Sequence, residues 1–191
     1  MLVRTSALIG SNYMKKILVF LLMLTLWLAF VACDNDKVPT EGLEYRLLDD
    51  GTYEVSGIGS ATDLDIVIPA KYNEKPVTSI GYNAFYLCSS LSSIEIPDSV
   101  SYIGVCAFQG CSSLSSVSLP DGLNTIKFFA FSNCSSLTSI YVPASISSVE
   151  ACAFYSCTAL TAINCGAESQ NESWAIDWLE NCNATVYYGV E

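Results

Sequence analysis

Four copies of one unit fill the middle of this chain. They begin at Ile80, Ile103, Ile126 and Val149, a spacing of 23 residues each time. The copies read IGYNAFYLCSSLSSIEIPDSVSY, IGVCAFQGCSSLSSVSLPDGLNT, IKFFAFSNCSSLTSIYVPASISS and VEACAFYSCTALTAINCGAES. A unit this short cannot bury its own apolar residues, so it folds only by stacking on its neighbours. The period therefore dictates a solenoid, and a solenoid is a generator of surface. That favours binding over catalysis before any single residue is weighed.

Aligned, the copies give columns, and each column stacks along the solenoid axis at about 4.8 Å per coil where it lies on parallel strands. One column is Phe85, Phe108, Phe131 and Phe154, each preceded by Ala (84, 107, 130, 153). Another is Leu91, Leu114, Leu137 and Leu160. The strand columns are Ile94 and Ile96, Val117 and Leu119, Ile140 and Val142, Ile163 and Cys165. Residues two apart on a strand share a face, so these point inward and the residue between them points out. Proline follows the strand in the first three copies (Pro97, Pro120, Pro143). It has no N–H to continue the ladder, so it marks the corner. The AFxxC stretch lacks alternation and predicts a short helical or 3₁₀ turn. Leu, Ile and Cys at a period within about 20–29 residues is the leucine-rich-repeat pattern.

The register runs beyond the four copies. Val186 lies 23 residues after Ile163, so ATVYYG (184–189) predicts a further strand. The segment ESWAIDWLENC before it breaks the Phe column and carries Trp174 and Trp178. Terminal repeats are atypical because they cover an open core, so 166–191 is expected to be a C-terminal capping repeat. Upstream, DIVIP (65–69) matches the strand-plus-Pro unit, with five extra residues in the KYNEKPV loop. LEYRLLDDGTYEVSGI holds two strand-like runs around Asp50 and Gly51, a hairpin signal. Residues 43–79 are expected to form the N-terminal cap. The fold expected is thus a right-handed leucine-rich-repeat solenoid of short parallel strands and short helical or 3₁₀ turns, with its four repeats over 80–165.

The pattern C-S-S-L-x-x-I-x-[IL]-P-x-x-[VIL]-x-x-I-x-x-x-A-F-x-x-C resembles the BspA-like (Treponema-type) leucine-rich-repeat family over roughly residues 43–191. The resemblance implies a bacterial cell-surface or secreted protein. Some members of that family are adhesins for host matrix proteins or other microbes. It implies no catalytic residues and names no ligand.

Lys15 and Lys16 precede a 16-residue apolar run, ILVFLLMLTLWLAFVA, and then Cys33. A basic start, an apolar core and a small residue before cysteine make a signal peptide over 1–32, with Met14 as its true start. FVAC resembles a lipobox, in which Cys33 is the lipidation site, although Phe30 stands where Leu is usual. Residues 33–42 then read as a lipidated tether, polar and turn-rich. The expected location is the bacterial cell envelope, held to membrane by the lipid anchor only. Beyond position 33 there are 19 acidic and five basic residues, a formal charge of −14. That opposes nucleic acid, itself anionic.

Enzymatic readings are poor. The chain has no His, the commonest general base. Gly57-Ile58-Gly59 lacks the rest of a phosphate-binding motif, and no cofactor is implied. Nine cysteines invite disulfides or metal. Yet Cys88, Cys111, Cys134 and Cys157 form one inward column, where a small thiol fits a tight corner and donates weakly to a carbonyl. No CxxC motif exists, so no metal is expected. The disulfide state and the partner of Cys182 stay open.

Function must be written in the letters that change between copies. The outward strand column is Glu95, Ser118, Tyr141, Asn164 and Tyr187, the candidate ligand-binding residues. Two more columns vary: Tyr82, Val105, Phe128 and Ala151, and Tyr86, Gln109, Ser132 and Tyr155. Tyr and Phe among small polar residues suit a contact surface. The rival explanation is that these aromatics pack across neighbouring coils. The expected function is noncovalent binding of a protein or glycan ligand on another surface. The alternative is an envelope scaffold that self-associates and has no outside ligand.

Overall fold

The computed structural model describes residues 38–190. The signal peptide, Cys33 and the start of the tether lie outside the described residues. Thr40 bonds the first solenoid strand both ways: its N–H donates to the Val67 carbonyl and its Oγ1 accepts from the Val67 N–H, each at 2.9 Å.

β1 (Glu44–Leu47) and β2 (Tyr53–Gly57) pair antiparallel around Asp50 and Gly51, as the turn signal predicts. β3 (Asp65–Val67) follows, and then β4 (Lys71–Tyr72) and β5 (Lys75–Ile80) form a tight antiparallel pair. Its turn residues Asn73 and Glu74 both have positive φ, 47° and 61°, the signature of a type I′ hairpin. The five inserted residues of the first coil are spent on this hairpin. It folds Tyr72 onto Tyr45 with ring centroids 4.0 Å apart, and Tyr53 meets both rings edge-on.

Two strands per coil come next: β6 (Ser93–Glu95) and β7 (Tyr102–Ile103), β8 (Ser116–Ser118) and β9 (Thr125–Ile126), β10 (Ser139–Val142) and β11 (Ser148–Val149). β12 (Ala162–Cys165) and β13 (Thr185–Tyr188) complete the set. The coil-to-coil pairings are parallel and keep the expected register. Ile66 faces Ile94, and Ile94 faces Val117. Ile140 faces Ile163, and Ile163 faces Val186. Another sheet, β1-β2-β5-β7-β9-β11, is parallel from β2 onward and runs through Ile80, Ile103, Ile126 and Val149. Nothing in the residue pattern signals its repeat part, because β7, β9 and β11 are two residues long and show no alternation.

The core between the sheets is a set of ladders. Phe85, Phe108, Phe131 and Phe154 are fully buried. Their rings stack nearly parallel at 5.2, 5.0 and 5.3 Å, close to the strand repeat. Trp178 ends the stack edge-on against Phe154 at 5.9 Å, and Trp174 packs edge-on against Trp178. The Trp174 indole N–H donates to the Ile146 carbonyl at 3.2 Å, as a buried indole requires.

The AFxxC stretch corrects the expectation of a helical or 3₁₀ turn; the described residues contain no helix. Its N–H groups alternate instead. Those of Ala84, Tyr86 and Cys88 close turns inside their own coil, onto Gly81, Asn83 and Phe85. Those of Asn83, Phe85 and Leu87 cross to Val105, Ala107 and Gln109 of the next coil. The alternation needs a left-handed residue at two places per coil. Asn83, Cys106, Phe129 and Cys152 hold one, and Leu87, Gly110, Asn133 and Ser156 the other, with φ between 55° and 76°. A helical turn would close all its N–H groups internally and leave the coils unlinked on this side.

Candidate binding site

Each candidate residue sits where the strand pleat puts it, outward between two buried neighbours, or in the case of Tyr187 two half-buried ones. Glu95 lies between Ile94 and Ile96, Ser118 between Val117 and Leu119, Tyr141 between Ile140 and Val142. The five do not form one row. β3, β6 and β8 make one three-stranded sheet, and β10, β12 and β13 make another. β8 and β10 are adjacent but belong to different sheets. Glu95 is therefore laddered to Ser118, and Tyr141 to Asn164 and Tyr187. The structure places the last three on one hydrogen-bonded sheet and the first two on the other, with β8 and β10 side by side.

The two strips differ chemically. On the first, Ser93 Oγ donates to Asp65 Oδ1 at 2.6 Å and Ser92 Oγ to the same atom at 2.9 Å. With Glu95 this strip is acidic. On the second, the outward residues are uncharged, and Tyr141 and Tyr187 are 40% and 50% exposed. Asn164 lies half-buried between them.

A further relationship holds Tyr141 in place. Gly166 occupies the corner where the preceding coils carry Pro97, Pro120 and Pro143. A Cβ at Gly166 would meet Tyr141 Oη at 2.5 Å and its ring carbon Cζ at 3.3 Å. The tyrosine thus leans across onto the next coil and occupies the space a corner side chain would take. The loss of proline in the fourth copy was the sequence signal for this contact.

The other varying columns are less available than their composition suggests. Ser132 is fully buried, and its Oγ accepts from Asn133 Nδ2 at 2.8 Å. Phe128 packs on Phe129 at 4.0 Å, and Phe129 meets Tyr155 edge-on at 5.7 Å. For Tyr155 the rival explanation of cross-coil packing holds, whereas Phe128 packs on its own chain neighbour. Glu150 braces this flank: it pairs with Lys127 and accepts from the Phe128 N–H at 3.0 Å. Tyr82 remains open on the same side.

The eight cysteines among the described residues are free thiols. Cys111, Cys134 and Cys157 are fully buried, and each Sγ donates to a carbonyl of the preceding coil, at Phe85, Phe108 and Phe131, over 3.0–3.3 Å. Burial pushes the Cys111 thiol up to about 12 and the Cys165 thiol to about 11. Cys152 Sγ donates to Glu180 Oε2 at 3.3 Å, with Asp177 beside it. Burial, then that carboxylate, pushes Cys152 to about 11. A cleft between 58–63 and 87–91 measures about 240 Å³, below the roughly 300–1,000 Å³ of a small-molecule site.

Comparison with known proteins agrees with this geometry. The family described as "BspA type Leucine rich repeat region" matches residues 78–186 in six copies. The solved leucine-rich repeat protein of T. pallidum is similar at 25% identity and TM-score 0.63, over 81% of this chain and 83% of that one. A leucine-rich cell surface protein of Faecalibacterium prausnitzii is similar at 26% identity and TM-score 0.66; 79% of this chain spans 39% of that one. A leucine-rich-repeat protein of Bacteroides capillosus is similar at 28% identity and TM-score 0.57, over 79% and 96%. No curated protein matches the sequence. The repeat register, the paired sheets and the match over more than half its length show that the chain belongs to the BspA-type leucine-rich-repeat family.

Proposed function

We propose that this chain is a noncovalent binding module of a bacterial cell surface, recognising a protein or glycan and serving adhesion to a host or neighbouring cell. One observation carries the reading: buried Ile and Val keep register from coil to coil while the residues between them change. Such a face is a fixed frame with variable contacts. The F. prausnitzii relative is described as a cell surface protein, which supports the location. Export through 1–32 and lipidation at Cys33 complete the proposal.

A pull-down with the purified chain against matrix proteins and whole-cell surfaces tests it. Tyr141→Ala and Glu95→Ala probe the two strips separately. At least one should weaken capture while the circular dichroism spectrum stays unchanged. Unaltered capture in both removes the strand face from consideration. For the anchor, Cys33→Ser should abolish acyl labelling and release the protein from the membrane fraction.

A second reading, a self-associating envelope scaffold, is favoured by the outer edge of β13, which has no strand partner among the described residues. Unpaired edges template further pairing. Light scattering that shows a monomer at high concentration disposes of this reading.

A further inference from the structure

We propose that the outward strip of β10, β12 and β13 is a subsite for a neutral oligosaccharide. This rests on the binding reading above and names the chemistry of its ligand. The outward positions are Ser139, Tyr141, Ala162, Asn164, Thr185 and Tyr187, with no charge among them. A phosphorylated or acidic partner would find nothing to pair with there, and would lose its hydration uncompensated. Glu168 lies against Gly189 at the end of β13, within 3.1 Å of a Cβ built there, and repels anionic ligands from that side.

The order along the strip is aromatic, amide, aromatic. Tyr141 brings the hydroxyl end of its ring over Gly166 and stays 40% exposed, so part of the ring is open to a ligand. Tyr187 stands two strand spacings away, about 10 Å, on the same face. Asn164 lies in register with both and offers a donor and an acceptor. A sugar ring has an apolar C–H face and a rim of hydroxyls that both donate and accept. The C–H face suits the negative face of a tyrosine ring, and the rim suits an amide flanked by Ser and Thr. The strip spans the length of a short oligosaccharide.

Area argues the same way. Three strands of four residues cover on the order of 200 Å², against about 800 Å² per partner in a standard protein interface. The strip on β3, β6 and β8 shows the contrast: it carries Asp65 and Glu95 and no aromatic ring.

The test uses the purified full chain with cellotriose, maltotriose, mannotriose and galactotriose, and a sialylated trisaccharide as the anionic control. Calorimetry or ligand-observed NMR reads the binding. At least one neutral sugar should bind, and the sialylated one more weakly. Tyr141→Ala and Tyr187→Ala should each weaken binding about tenfold, and Tyr141→Phe should retain it. Unchanged melting temperatures in these variants confirm that the fold is intact. The inference is overturned if no neutral sugar binds, or if neither alanine variant alters the binding. If a protein ligand is captured through Tyr141 while every sugar fails, the binding reading stands and this one falls. If neither sugar nor protein capture depends on Tyr141, Tyr187 or Glu95, both fall.

Discussion

Tyr141 occupies the space that a side chain at position 166 would need: a methyl group on Gly166 would sit 2.5 Å from its hydroxyl oxygen. The fourth copy has Gly where the three before it have Pro. Gly166→Ala should therefore swing the ring off the sheet. The closest contact is with the far end of an exposed side chain, and the Ala144 backbone nitrogen lies 3.1 Å away, so the stability cost should be about 1–2 kcal/mol, within the range of overpacking. A shift of the Tyr141 ring resonances, with weaker ligand capture and a retained fold, checks this.

Phe108 has a stacked ring on either side, at 5.2 and 5.0 Å, and no exposure. Phe108→Ala should cost about 3–5 kcal/mol in urea unfolding. The loss sits mid-stack, where no neighbour can collapse into it without breaking register. A cost under about 1 kcal/mol would sink the continuous-core account.

The buried thiols set an alkaline limit. Cys111 and Cys165 are raised in the fold to about 12 and about 11, by burial first. Unfolded thiols ionise near 8.5. Between those values the folded state holds more protons than the unfolded one, so stability falls as pH rises. It is fully present below about pH 8.5 and drains away towards pH 11–12. Cys111→Ala should flatten the decline measured by melting temperature. Peptide mapping after iodoacetamide should find Cys111, Cys134 and Cys157 unlabelled in the native protein and labelled in denaturant.

Leu87 is held at φ 57° while its side chain is 60% exposed. The left-handed region costs an L-residue about 1–2 kcal/mol, and glycine gives back about 0.4–1 kcal/mol through its freer unfolded state. Leu87→Gly should thus stabilise the domain by about 0.5–1 kcal/mol, read as a rise in the urea midpoint. A fall would mean that Leu87, which lies over Gly110, contributes more by contact than it loses by strain.

The frame was legible because buried columns repeat: Ile66, Ile94 and Val117 pair as their spacing predicted, and so do Ile163 and Val186. The Tyr, Ser and Asn letters also fell on the outward face as expected. What stayed hidden was backbone. Leu87, Phe129 and Cys106 carry no signal for a left-handed turn, because the inter-coil bonds impose it. The separation of the strips between Ser118 and Tyr141 was equally silent, since both residues obey the same column. Tyr155 misled for a related reason: a varying column can vary to pack a neighbouring coil, here Phe129, as well as to meet a ligand.

The alternating turn ladder has a consequence for how such a chain changes length. Every second N–H on that flank is promised to the coil ahead. Removing a whole coil reunites equivalent donors and acceptors, and the flanking coils meet as they met before. Removing one residue exchanges the two classes of N–H for the rest of the coil and points its Phe outward. Growth and shrinkage therefore come in whole coils, while the outward letters remain free to drift one at a time.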